Sequence, residues 1–215
     1  MDVLKILLPI AVTCGIVPME NWLIFYKGKT SVDVLSEKKR NVMNLLLVGS
    51  ALLVSEIAVA CSSGIISGIL LTAFTALLAV CMGVDIRVHI IPNICLLPML
   101  CAAVVYLMIN WPGTAGFLTH IGTALAFCYG MLLAAKLVHA EALLGAGDIK
   151  LITVVSLLFG MGCAEIVMFA GMILSLLAYV VPMMMTKKMT LKSMVALGPF
   201  IGIGTMAGIV SMMIC

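Results

Sequence analysis

Eight apolar runs, joined by short polar or Gly/Pro-rich connections, dominate this chain of 215 residues and decide which solvent it can fold in. They cover residues 3–25, 42–60, 65–84, 94–109, 117–138, 149–161, 164–185 and 194–213. Crossing a ~30 Å hydrocarbon core takes about 20 apolar residues. The composition agrees: 64% of residues are apolar and 10% charged, with a mean hydropathy of +1.31, against ~45–50% and ~25% in soluble domains. A water-soluble fold cannot hide that much apolar surface. Backbone in lipid must satisfy its own hydrogen bonds, and alternating-strand patterning is absent, so the runs are read as helices. The expectation is an all-α polytopic transmembrane bundle of seven to eight spans, forming one integral-membrane domain over 1–215. The first run opens directly after Met1-Asp2 and could be a signal peptide, with Cys14 hinting at a lipoprotein site. Val12 and Thr13 fit such a site poorly, so a retained helix is expected.

Lysine and arginine set the orientation. Lys27, Lys29, Lys38, Lys39 and Arg40 lie between runs one and two, and Arg87 between three and four. Lys136 and Lys150 flank the connection between five and six, and Lys187, Lys188 and Lys192 lie between seven and eight. The alternate loops carry none, leaving only Lys5 on the opposite side. The alternation predicts that the basic loops are cytoplasmic, in an inner, cytoplasmic membrane. It also argues for keeping the short run 149–161, since losing it would invert everything after it. At 1.5 Å per residue that run covers only ~20 Å, so Asp148 just before it is expected slightly below the headgroup level.

Several chemistries find no support. With 6% aromatic residues and no basic run interleaved with aromatics, nucleic acid is not an expected partner. Eight cysteines (14, 61, 81, 95, 101, 128, 163, 215) form no CxxC pair, so they read as small buried hydrophobes and no metal or other cofactor is expected. The eighteen methionines read as packing or lipid-facing residues.

Acids in membrane segments are costly and usually functional. Glu20 and Glu56 read first as interfacial or helix-pairing groups. Asp85 and Asp148 stand at helix ends on the cytoplasmic side, in DIRVHIIPN (85–93) and GAGDIKL (145–151). Simple solvation, or pairing with Arg87 and Lys150, is the bland alternative. The glycines favour chemistry: Gly145 and Gly147 allow close backbone approach beside the acid. A helix starting after Asp148 would favour charge there, whereas Asp85, beyond the C-terminal end of its span, meets the opposite dipole. Two carboxylates brought together with different proton affinities suit acid–base hydrolysis. One would activate water and the other polarise the scissile carbonyl. They titrate as a unit, and the sequence leaves open which is which, the dipole favouring Asp148 as base. Lys150 could steady the acid or snorkel to lipid headgroups, and Pro92 with Asn93 shapes the entry to the fourth span. Arg87 could act on Asp85 or bind lipid. His89 is a possible neighbour of the site; His120 and His139 read as incidental.

Together, Asp85-x5-Ile91-Pro92-Asn93 and GAGDIKL resemble the two signature motifs of type IV prepilin peptidases, polytopic aspartic peptidases of the GxGD class that includes preflagellin peptidases. Leu197-Gly198-Pro199-Phe200 is similar to a Gly-Pro-Phe element in the last helix of that family. The resemblance runs roughly from residue 65 to 209. It implies that Asp85 and Asp148 are the catalytic pair and that no metal is needed. It further implies that prepilin or pseudopilin precursors are cut between a short basic leader and the hydrophobic helix after it. Bifunctional members also carry a cytoplasmic zinc domain and methylate the new N-terminus. The first cytoplasmic loop here, 26–41, is short and lacks cysteine, so neither that domain nor N-methylation is expected. Presenilin-like proteases place a Tyr before the first acid, whereas Val84 precedes Asp85. A proton-coupled transporter would place its acids nearer the midplane and show an internal repeat, and an inert scaffold needs no acid beside Gly-x-Gly. The oligomeric state is not readable.

Overall fold

The computed structural model describes residues 2–26, 37–62, 64–137, 145–185 and 196–214. The loop lysines 27, 29, 187, 188 and 192, and His139, lie outside them. The described residues form helices and short connections, with no strand among them: α1 (Asp2–Cys14), α2 (Ile16–Tyr26), α3 (Glu37–Cys61), α4 (Ile65–Val88), α5 (Asn93–Ile109), α6 (Gly113–Leu137), α7 (Ala146–Phe159), α8 (Cys163–Met185) and α9 (Gly198–Ile214).

Among the described residues, four apolar stretches are long enough to cross a membrane: Leu7–Ile24, Asn41–Cys61, Ile65–Val88 and Gly113–Leu133. Shorter apolar helices occupy Asn93–Ile109, Cys163–Tyr179 and Gly198–Ile214. The chain is a multi-pass membrane protein. The first apolar run is not one helix, as expected, but two. Pro18 has no N–H to give the Cys14 carbonyl, and the chain tightens at Gly15, whose N–H donates to the Val12 carbonyl at 3.1 Å.

Helix α4 is the centre of the bundle. Its apolar stretch is 67% buried, against 33% or less in the other three long ones. Being apolar all round suits a helix packed on every side: α1, α2, α3, α5 and α9 all lie against it. Helix α6 is the opposite case, with Leu118, Leu125 and Tyr129 each more than 60% exposed on a lipid-facing surface.

Small residues bring α8 and α9 close together. A Cβ at Gly204 would run into the Met168 carbonyl oxygen, and one at Gly171 would lie 3.1 Å from the Gly204 Cα. In lipid, where apolar side chains gain little by leaving the solvent, such close packing drives helix pairing. Gly204→Ala must therefore push the two helices apart. A loss of about 1–3 kcal/mol is expected, read as a lower midpoint of denaturation in detergent; an unchanged midpoint would show that the pair can separate freely.

Candidate active site

One end of the bundle collects the C-terminus of α4 and the N-termini of α5, α7 and α9. Both sequence motifs are there. Asp85 lies inside the last turn of α4 rather than beyond the helix, because the helix continues to Val88 before stopping. The stop is local: His89 takes the left-handed conformation at φ 52° and caps the helix by donating its N–H to the Asp85 carbonyl at 2.8 Å. The chain then leaves helical structure through Ile90 and Ile91 and reaches Pro92, the extended N-cap of α5. Proline suits a helix start because an N–H there would have no helical partner. The first motif is thus a corner that brings the start of α5 beside the end of α4.

Asp85 is only 4% exposed. Its Oδ2 accepts the backbone N–H of Gly198, the first residue of α9, at 2.9 Å. A Cβ at 198 would stand 2.7 Å from that oxygen and 3.0 Å from the Asp85 Cβ, so only glycine lets the α9 backbone come this near. The α9 N-terminal dipole adds favourable potential at the carboxylate. Gly198 belongs to the Gly-Pro-Phe element; that element could be read from the sequence, but its contact with Asp85 could not.

Asp148 occupies the first turn of α7, which begins three residues earlier than expected, at Ala146, with Gly145 as N-cap. As the third helical residue, its side chain folds back on the N-cap, as in a capping box. Its carboxylate bonds the Gly145 backbone, and a Cβ at 145 would lie 2.9 Å from Asp148 Oδ2. Gly147 serves the other motif: a Cβ there would lie 3.0 Å from the Ile91 Cβ. Close approach at Gly147 therefore seats the start of α7 against Ile91. A second link is polar, with exposed Lys150 donating from Nζ to Asn93 Oδ1 at 3.3 Å. Ile91–Gly147 and Asn93–Lys150 bind the motifs to each other.

Asp148 precedes the apolar segment 149–161 and lies outside it. Its carboxyl is held up from the usual range to about 6. Burial contributes most, the charge of Asp85 adds to it, and the Gly145 backbone bond opposes both. The two acids are thus electrically coupled.

The expected action of Arg87 on Asp85 or lipid is replaced by another arrangement. Arg87 turns away from the acids to pair with Glu20 of α2 (Nε–Oε1 3.0 Å) and donates to Asn21 Oδ1 at 2.9 Å and Asn44 Oδ1 at 2.8 Å. Glu20 is accordingly a helix-pairing residue. Glu56 is half-buried on α3. At the far end, His120 Nδ1 lies 2.9 Å from the Leu157 carbonyl oxygen and ties α6 to α7. Glu165, an acid the sequence reading passed over, is buried in the first turn of α8, away from the dyad. Among the described residues, no three His, Cys, Asp or Glu side chains gather as a metal site.

The sequence profile of the type IV leader peptidase family matches residues 72–183, a stretch holding both acids. The chain belongs to this family. No curated protein and no solved structure matches it. Membership makes it one of a group of aspartic-type leader peptidases, and its substrates by implication prepilins. Gly198 lies beyond the matched stretch, although its N–H completes the surroundings of Asp85.

Proposed function

We propose that this leader peptidase family member cuts the short leader from type IV pilin-like precursors at the cytoplasmic face of the membrane, with Asp85 and Asp148 as its catalytic pair in a single membrane domain. The observation that carries the reading is the joining of the two motifs at one end of the bundle, with the charge of Asp85 felt at Asp148. The alternation of basic and uncharged loops supports a cytoplasmic position for that end, where a precursor's basic leader would be found.

The electrostatics favour Asp148 as holder of the shared proton, the reverse of what the α7 dipole alone suggests. Burial and the neighbouring charge outweigh the Gly145 backbone hydrogen bond and hold the carboxyl up to about 6. Ionised Asp85, steadied by the Gly198 N–H, takes a proton from water as the oxygen adds to the scissile carbonyl carbon. Asp148 gives its proton to the carbonyl oxygen. On collapse, Asp85 returns a proton to the leaving nitrogen, Asp148 recovers its own, and the C–N bond breaks. No metal takes part, and the new N-terminus leaves unmethylated.

Co-expression in membranes with a panel of pilin-like precursors tests the reading. The expected product is a mature subunit lacking its leader, whose N-terminal mass shows no added methyl group. A wild-type protein that trims none of the panel sinks the substrate assignment.

The pH profile tests the proton assignment. Asp148 keeps its proton below about 6 and loses it above. Above that point both carboxylates are charged and no acid remains for the carbonyl. Cleavage in detergent should therefore fall as pH rises through about 6. A rate that instead climbs through this range to a plateau would make Asp148 the base.

A further inference from the structure

We infer that Arg87, with Glu20, Asn21 and Asn44, forms a three-helix clamp that sets the rotation of the last turn of α4 and so places Asp85 for catalysis; the inference rests on the peptidase reading above. Three observations lead to it. First, Arg87 is a charged residue of a mostly apolar bundle, 8% exposed, with its guanidinium divided among α2 and α3: Nε to Glu20, Nη1 to Asn21 and Nη2 to Asn44. The planar fork can meet three partners at once, which an ammonium cannot do with the same geometry. Second, Glu20 is fully buried against the α4 backbone itself. A Cβ at Gly83 would stand 2.7 Å from both of its carboxylate oxygens. Third, α4 ends immediately afterwards at left-handed His89, so no continuing helix holds its last turn.

Asp85 and Arg87 are two residues apart, which places them about 200° apart around the helix at ~100° per residue. The clamp therefore grips one side of the turn while the carboxylate faces α9 on the other. A side-chain atom roughly 5–6 Å from the axis moves by about 2 Å for each ~20° of rotation. Misplacement of a catalytic group by ~1 Å can slow a reaction about 100-fold. Arg87 and Glu20 touch no reacting atom in this scheme; they are positioning residues.

The test separates positioning from folding. Replacing a whole buried ion pair by apolar residues is often neutral for stability, whereas removing one partner is not. The double variant Glu20→Leu/Arg87→Met is thus expected to accumulate in membranes like wild type and to lose the fork. Its kcat on a trimmed precursor should drop about 10- to 100-fold with KM within about threefold. The second variant, Asn21→Ala/Asn44→Ala, leaves the ion pair in place and removes only two arms; a fall in kcat of about tenfold at constant KM is expected. Wild-type kcat in either folded variant overturns the clamp. So does a loss confined to KM, or one matched by loss of folded protein in both. If wild type itself trims no precursor, the peptidase reading fails, an outcome distinct from variants that cleave as well as wild type.

Discussion

Converting either Asp85 or Asp148 to asparagine is expected to lower the cleavage rate about 10³- to 10⁴-fold while the protein stays folded. Asparagine keeps the shape of the side chain and part of its hydrogen bonding. In Asp85→Asn the new amide oxygen can still accept the Gly198 N–H, so the α4–α9 junction should survive. In Asp148→Asn the side chain can still fold back on the N-cap of α7, and a neutral group suits a site where burial already disfavours charge. What disappears is the capacity to take or give a proton. In the proposed mechanism each acid serves one half of a single proton exchange, so Asp85→Asn/Asp148→Asn should be barely slower than either single variant, as for groups that act as a unit. The measurement is a time course of precursor trimming at matched protein levels. A residual rate within about tenfold of wild type in either variant would remove the aspartic mechanism and leave a membrane protein whose acids do something else.

Gly198→Ala should cost about 100-fold in kcat, more than its loss of stability accounts for. The added Cβ would stand 2.7 Å from Asp85 Oδ2 and 3.0 Å from the Asp85 Cβ, closer than nonbonded atoms settle. Either the carboxylate swings to another rotamer or α9 backs away, and both break the 2.9 Å bond from the Gly198 N–H. A shift of ~1 Å at a catalytic group is worth about two powers of ten. The folding cost of one methyl at the end of a helix is smaller, on the order of 1–2 kcal/mol. Ile203→Ala, on the same helix at a position 47% exposed, supplies the control and should cleave as wild type does. Full activity in Gly198→Ala would mean that Asp85 works in a position other than the one described here.

Much of this was legible in the chain because it is local. Apolar run length reports a span whatever packs against it, and the runs at 65–84, 94–109 and 164–185 fall within α4, α5 and α8. Helix ends were less legible. The run read as ending at Val84 continues through Asp85 to Val88, since a buried acid and arginine inside a helix look like loop residues until their partners are known. The break at Gly15 was legible in principle from Pro18, yet it was masked by an unbroken apolar run.

Composition, spans, loop charge and the two acid motifs follow from the sequence alone, since each depends on neighbours within a few residues or on a count. Partnership was decided by the tertiary structure. Gly198 meets Asp85 across 113 residues of chain, and Arg87 meets Asn21 across 66. Nothing in the residues around Arg87 says that its charge is spent on Glu20 rather than on Asp85 two positions away. The reason is geometric: residues two apart on a helix face nearly opposite ways, and which neighbour stands on each side depends on how the whole bundle packs.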